Sequence, residues 1–258
     1  MTRVIAVASG KGGVGKTTTV SNLGSLLTKA GKNVTIVDGN LTTPNLSLHL
    51  GIPLYPTTLH DVLRGEAYIT EALYIHPSGV RIVPAGLSLE DIHNTDSSYL
   101  GQALLDLLGN TDIILMDTSA GLGRETLAAL RASDEMILVT NPDLPSVTDA
   151  LKAKKLAEEM GLNVLGVVIN RVKKSKNQLT EDEIREMLDG LPVLAKIPED
   201  ESIPESINMK TPVVNHKPNS PASRAFHELA RKIIEEEFEL RERGSGFFSR
   251  ILDWLRGK

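Results

Sequence analysis

At 258 residues the chain has room for one large α/β domain with a substantial core, which at 3% aromatic residues must be built from Leu, Ile, Val and Ala. Cysteine is absent, which excludes disulfides, thiolate catalysis and Cys-ligated zinc or iron–sulfur clusters, and the six histidines (His49, His60, His76, His93, His216 and His227) have no metal-ligand spacing. A formal net charge of −5 argues against a surface that coats nucleic acid, though it leaves a local basic patch open.

In chain order, the apolar run Val4 to Ala8 reads as a strand. It leads into Gly10-Lys11-Gly12-Gly13-Val14-Gly15-Lys16-Thr17, and a helix follows from Thr18 to Ala30, closed by Gly31. Strand, glycine loop and helix start are what a phosphate-binding loop requires. Consecutive backbone N–H groups curl around an anion only where no side chain obstructs them, and the helix directs its partial positive charge at the same point. Lys16 can then reach the outer phosphates, and the Thr17 hydroxyl can ligate a bridging Mg²⁺. The chain enters its first strand without a basic region followed by an apolar one, and no apolar run is long enough to span a bilayer, so the expected location is the cytoplasm.

Further short apolar runs follow at Val34 to Val37, Val80 to Val83, Ile113 to Met116, Met136 to Val139, Val164 to Ile169 and Val193 to Ile197. Most lack polar alternation, as strands buried on both faces do. Helical patterns lie between them at Leu59 to Arg64, Tyr99 to Leu108, Arg124 to Ala132, Ser146 to Met160 and Glu181 to Leu188. The alternation predicts an α/β fold of the P-loop NTPase kind: a mostly parallel twisted sheet with helices on both faces, and ligands beyond the carboxyl ends of the strands. Pro198 to Pro221, rich in Pro, Asn and Ser, is expected to be a long surface loop with at most one short helical turn. Ala222 to Arg243 reads as a final helix packed through Ala222, Phe226, Leu229, Ala230, Ile233 and Ile234, its charged later part, Glu235 to Arg243, in solvent.

The residues just after the strands carry the chemistry. Asp117 ends its strand as the carboxylate that supports Mg²⁺ through water or through Thr17, and Thr118 to Gly123 suit a loop that senses the γ-phosphate. Asp38 can orient water or the metal, or simply cap its strand. Asn170, followed by Arg171, offers the donor and acceptor that an adenine edge needs, or is a turn residue. At the C-terminus a helical projection gathers Phe247, Phe248, Ile251, Leu252, Trp254 and Leu255 on one broad arc, flanked by Arg250, Arg256 and Lys258 and tethered by Gly244-Ser245-Gly246. That profile fits a helix lying in a membrane interface, or one docked on protein. Residues 1–243 are thus expected to form the nucleotide-binding domain and 244–258 a tether with an amphipathic helix.

Lys11-Gly12-Gly13-Val14-Gly15-Lys16-Thr17-Thr18 resembles the deviant Walker A motif of the MinD/ParA family of ATPases, and its archaeal MinD-type branch in particular. The resemblance extends through Val37-Asp38-Gly39-Asn40, Asn45-Leu46, Met116-Asp117-Thr118-Ser119-Ala120-Gly121, Val168-Ile169-Asn170-Arg171, Ile197-Pro198-Glu199-Asp200 and the tail, nearly the whole chain. It implies ATP and Mg²⁺ as cofactors and an ATP-bound sandwich homodimer in which Lys11 reaches the partner's phosphates. Adenine would be held by Asn170, Arg171, Pro198, Glu199 and Asp200, with the metal at Thr17, Asp38 and Asp117. The implied function is a switch that attaches peripherally to the cytoplasmic face of the membrane and positions a structure such as the division site, with an unidentified protein activator or cargo. A DNA-partitioning ATPase of the ParA kind and a metabolic P-loop phosphotransferase are the competing readings; the charge and the tail speak against nucleic acid.

Two positions depart from the family pattern. Asn40 stands where a second aspartate orients the attacking water, and Asn cannot act as a base, so hydrolysis is expected to be slow. Thr118-Ser119 replaces a frequent Ser-Pro, leaving that backbone less restrained.

Overall fold

The computed structural model describes residues 2–51, 55–88, 91, 95–175 and 177–243, with side chains as far as 235. Eight strands form one sheet in the order β3-β4-β2-β5-β1-β6-β7-β8. They are β1 (Arg3–Ala8), β2 (Val34–Gly39), β3 (Tyr74–Ile75), β4 (Arg81–Val83), β5 (Ile113–Thr118), β6 (Glu135–Thr140), β7 (Asn163–Val172) and β8 (Val193–Pro198). Every pairing is parallel except β3 with β4, a two-residue antiparallel edge.

The apolar runs become strands because both faces of the sheet are covered. All six residues of β1, β2, β5 and β6 are buried. Along β1, Ile5 and Val7 enter a core beneath α1 (Lys16–Lys29), while Val4, Ala6 and Ala8 face the opposite side, the period of two that a pleated strand imposes. The long C-terminal helix, α10 (Pro221–Arg243), packs on the α1 face through Phe226 and Leu229. On the opposite face lie, in chain order, α3 (Leu59–Leu63), α4 (Leu100–Ala103), α5 (Arg124–Arg131), α6 (Leu144–Glu159) and α7 (Glu181–Met187). A buried ion pair joins Arg3 Nε to Glu135 at 2.9 Å, and Arg3 Nη1 donates to the carbonyl of Ile233 in α10 at 3.0 Å.

Three expectations are corrected. The Pro-rich segment expected at the surface carries two helices, α8 (Ser202–Asn208) and α9 (Val213–His216), and buries Val213 and Val214 in the α1 core. Pro204 falls in the first turn of α8, where its missing N–H costs nothing, so the proline count misleads. The side chain of Asn22 in α1 accepts from the amide of Val214 at 3.1 Å, fixing the segment. Second, the helix expected from Tyr99 to Leu108 is broken into 3₁₀ turns at Ser97–Tyr99 and Leu104–Leu107 around α4. Third, a short α2 (Leu46–Leu50) follows β2, and neither it nor β3 stands out in the sequence. The tail residues Phe247, Phe248, Ile251, Leu252, Trp254 and Leu255, the tether, and His93 lie outside the described residues. Among the described residues no helix is long and apolar enough to cross a membrane.

Candidate functional site

The central strand β1 delivers residues 9–15 to the carboxyl edge of the sheet, with β5 and β6 on either side of it. Three of the loop's four glycines have a particular reason to be there. Gly13 and Gly15 have φ of 73° and 105°, which side-chain-bearing residues seldom adopt. A Cβ on Gly10 would lie 2.1 Å from the backbone oxygen of Asp149 in α6, and one on Gly15 would lie 2.1 Å from Nδ2 of Asn170. The loop therefore rests directly on its neighbours. Gly15 caps α1 without a side-chain hydrogen bond and no acid occupies the first turn, so the turn's N–H groups are left for an external anion.

The two lysines of the loop have opposite environments. Lys16 is buried; its Nζ donates to Ser9 Oγ at 3.1 Å, and Ser9 Oγ donates to the carbonyl of Lys11 at 2.7 Å. Burial pulls the Lys16 ammonium below its ordinary range, with Asp117 opposing. Lys11 is exposed, and among the described residues its side chain has no hydrogen-bond or ion-pair partner.

β2 and β5 are neighbours in a register that sets Asp38 beside Asp117. Thr17 Oγ1 donates to Asp117 Oδ2 at 2.7 Å, while the buried Asp117 Oδ1 has no partner. Burial raises the Asp117 carboxyl to about 6, against the pull of Thr17 and Lys16. Asp38 is pushed well above the carboxylate range by burial and then by Asp117. Two buried acids with an orphaned oxygen fit a divalent cation. Asp38 differs from Asp117 in that its oxygens already accept from the amides of Asn40 and Leu46, each at 3.2 Å, and so clasp the loop that follows β2. Its effect on a cation would come through charge. Among the described residues no three His, Asp or Glu could hold a metal ion together; a Mg²⁺ ion held at Thr17 and Asp117 would take further ligands from phosphate and water.

Asn170, near the end of β7, donates through Nδ2 to the carbonyl of Val14 at 2.6 Å, and its buried Oδ1 has no partner. The side chain thus braces the loop with its donor and leaves its acceptor unpaired. Arg171 adopts φ 56°, turning the chain beside Pro198 and Glu199, whose amide donates to Val172 at 2.9 Å. The Asp200 carboxylate accepts from the amides of Ser202 at 2.9 Å and Ala222 at 3.0 Å, so it closes the ends of the 202–221 segment.

Asn40 faces the second loop. Its Oδ1 accepts from Thr43 Oγ1 and from Ser119 Oγ, both at 3.1 Å, and its Nδ2 donates to the carbonyl of Thr43. Glu125, in the first turn of α5, accepts from Ser119 and Thr42. Ser9, Asp149 and Glu125 escape sequence reasoning. Only Ser9, a polar residue between strand and first glycine, carries a local signal.

Residues 5–213 match the CobQ/CobB/MinD/ParA nucleotide-binding domain. The chain is 37% identical to an uncharacterised ATP-binding protein of Methanocaldococcus jannaschii over all of this chain and 98% of that one. It superposes with a TM-score of 0.88 on the cell division ATPase MinD of Pyrococcus furiosus, at 38% identity over 91% of this chain and 99% of that one. Against the septum site-determining protein MinD of Pyrococcus horikoshii, solved with Mg-ADP, the TM-score is 0.87 at 39% identity, covering 90% and 96%.

Proposed function

Since the chain belongs to the CobQ/CobB/MinD/ParA nucleotide-binding family, whose MinD relatives are ATPases, we propose that it is an ATP-dependent, dimerising switch that binds membrane when ATP-bound and positions a cellular structure. The observation that carries this reading is the contrast between the loop's two lysines. Lys16 is buried against Ser9, where it serves the phosphates of its own site, whereas Lys11 is exposed and without a partner among the described residues. A cation displayed at the mouth of a phosphate site has work to do when a second copy closes over that site.

In this reading the backbone from Gly10 to Thr18 cradles the phosphates of ATP, and the bound Mg²⁺ neutralises phosphate charge. Thr17 would hold the metal, with Asp117 supporting it through the 2.7 Å hydrogen bond and Asp38, its neighbour in the sheet register, adding charge once the cation favours its ionised form. The free Oδ1 of Asn170 accepts from the adenine amine, with Arg171, Pro198 and Glu199 beside the base; Asp200 shapes that wall through its two backbone contacts. Residues 244–258, read from the sequence as a tether and an amphipathic helix, supply the membrane attachment. A helix this short binds lipid weakly alone, but in a dimer the second insertion is intramolecular, so dimerisation itself strengthens attachment. Asn40, which cannot take a proton from water, makes hydrolysis slow and the ATP state long-lived.

Size-exclusion chromatography and liposome pelleting of the full chain, each with Mg-ATP and Mg-ADP, test the proposal. A dimer that pellets with ATP and a monomer that stays in solution with ADP are expected. A monomer in both, or equal pelleting with both, overturns it, and ATP-dependent binding to nonspecific DNA would favour the partitioning function instead. Asn40→Asp is expected to hydrolyse ATP faster than the natural chain; a slower variant refutes the role given to Asn40.

A further inference from the structure

Asn40 and Ser119, each part of a departure from the family pattern, are 79 residues apart and touch: Ser119 Oγ lies 3.1 Å from Asn40 Oδ1. The same hydroxyl contacts Glu125 Oε2, and the other Glu125 oxygen accepts from Thr42 Oγ1. One carboxylate on α5 thereby holds both loops that border the phosphate site. Ser119 is fixed from behind, since Thr118 and Thr126 both donate to its carbonyl at 3.2 Å. The second loop is also pinned to the phosphate loop, where the Gly121 amide donates to Ser9 at 3.3 Å.

Proton counting gives this arrangement a condition. The Ser119 hydroxyl carries one proton and stands between two acceptor oxygens, Asn40 Oδ1 and Glu125 Oε2. An amide oxygen tolerates sharing that proton. A carboxylate at position 40 would set two like charges on either side of a single hydroxyl, and their repulsion would separate the loops. Asn40 is already committed elsewhere: its oxygen accepts the Thr43 hydroxyl and its amino group donates to the Thr43 carbonyl. It acts as a brace for its loop.

We propose that Glu125 is a positioning residue for ATP turnover, tying residues 42–43 and 119–121 into one unit, and that the uncharged Asn40 is what admits it. The proposal rests on the reading of the chain as an ATPase. Its consequence is that restoring an aspartate at position 40 opens the latch, so the gain in hydrolysis depends on what stands at 125, and that dependence runs through the Ser119 hydroxyl.

The test is a double-mutant cycle on the full chain, measuring kcat and KM for Mg-ATP in the natural protein, N40D, E125Q and N40D/E125Q, then repeating it in an S119A background. N40D is expected to raise kcat at least about fivefold more in the E125Q background than with Glu125 in place. That difference should shrink to within about twofold in S119A, with KM nearly constant, since the phosphate-loop backbone is untouched. Independent, multiplicative effects of N40D and E125Q overturn the proposal. Hydrogen exchange of the ADP-bound proteins gives a readout free of turnover: protection of residues 40–45 and 119–123 should fall in N40D and return in N40D/E125Q, and unchanged protection in N40D overturns the latch. Calorimetry with Mg-ATP separates the two levels. Absence of binding refutes the ATPase reading, whereas binding and turnover without coupling refute only the role of Glu125.

Discussion

Asp117→Asn exposes what the site costs the fold. In the free protein Asp117 is buried beside Asp38, its carboxyl raised from 3.8 to about 6. Between those values the folded state holds a proton that the unfolded chain has released. Stability is therefore highest below about pH 4 for this group and falls as pH rises through 6, by about two units at 1.36 kcal/mol each, or ~3 kcal/mol in all. The substitution removes that slope. The new amide oxygen still accepts from Thr17, but the amino group enters the place of the orphaned Oδ1, at ~1–2 kcal/mol. At pH 7 the variant should be more stable by ~1–2 kcal/mol, about 2–8 °C in Tm for a chain of this size. Urea unfolding in chelator without nucleotide, from pH 4.5 to 7.5, measures it, and the cleaner quantity is the difference between the two proteins, which should widen with rising pH. Curves that run parallel within about 0.5 kcal/mol would refute the reasoning. Saturating Mg-ADP should reverse the order, because only the natural acid gains from the metal.

Gly10→Ala drives a methyl group into the Asp149 backbone and is expected to lower Mg-ADP affinity by at least about a hundredfold in calorimetry, whereas Gly13→Ala, with open space around its Cβ and only backbone strain, should lose about tenfold or less. Asn170→Ala should weaken inorganic triphosphate as well as ATP, since its Nδ2 braces the loop at Val14; a loss confined to ATP would return the residue to base recognition alone.

The sheet is legible in the sequence because its central strands are buried on both faces: Val4 to Ala8 and Ile113 to Met116 are uninterrupted apolar runs for that reason. The phosphate loop is legible because its glycines are closely spaced and local. What cannot be read is whatever depends on two distant segments meeting. Gly10 is fixed by Asp149, and nothing near Asp149 announces it. Glu125 looks like an ordinary acid in a helix's first turn until Thr42, 83 residues away, is seen against it. Asn170 is found from its chemistry, yet one of its two functions, the bond to Val14, is a tertiary contact. The 202–216 segment misleads for the opposite reason: its composition is that of a loop, while Val213 and Val214 find a core only because α1 offers them one.

The hydrogen bond from Arg3 to Ile233 ties the last helix to the amino end of β1, while the phosphate loop leaves the carboxyl end of the same six-residue strand. At ~3.3 Å per residue, roughly 20 Å of rigid, fully buried strand separates the two. The short routes to that helix lie at its other end, where Asp200 accepts from the Ala222 amide at 3.0 Å, and along α1, which begins at the phosphate loop and packs against it. The last helix therefore runs from the nucleotide edge of the sheet at Ala222 to the amino edge of β1 at Ile233, so that a displacement at one end would be delivered to the other by a single element.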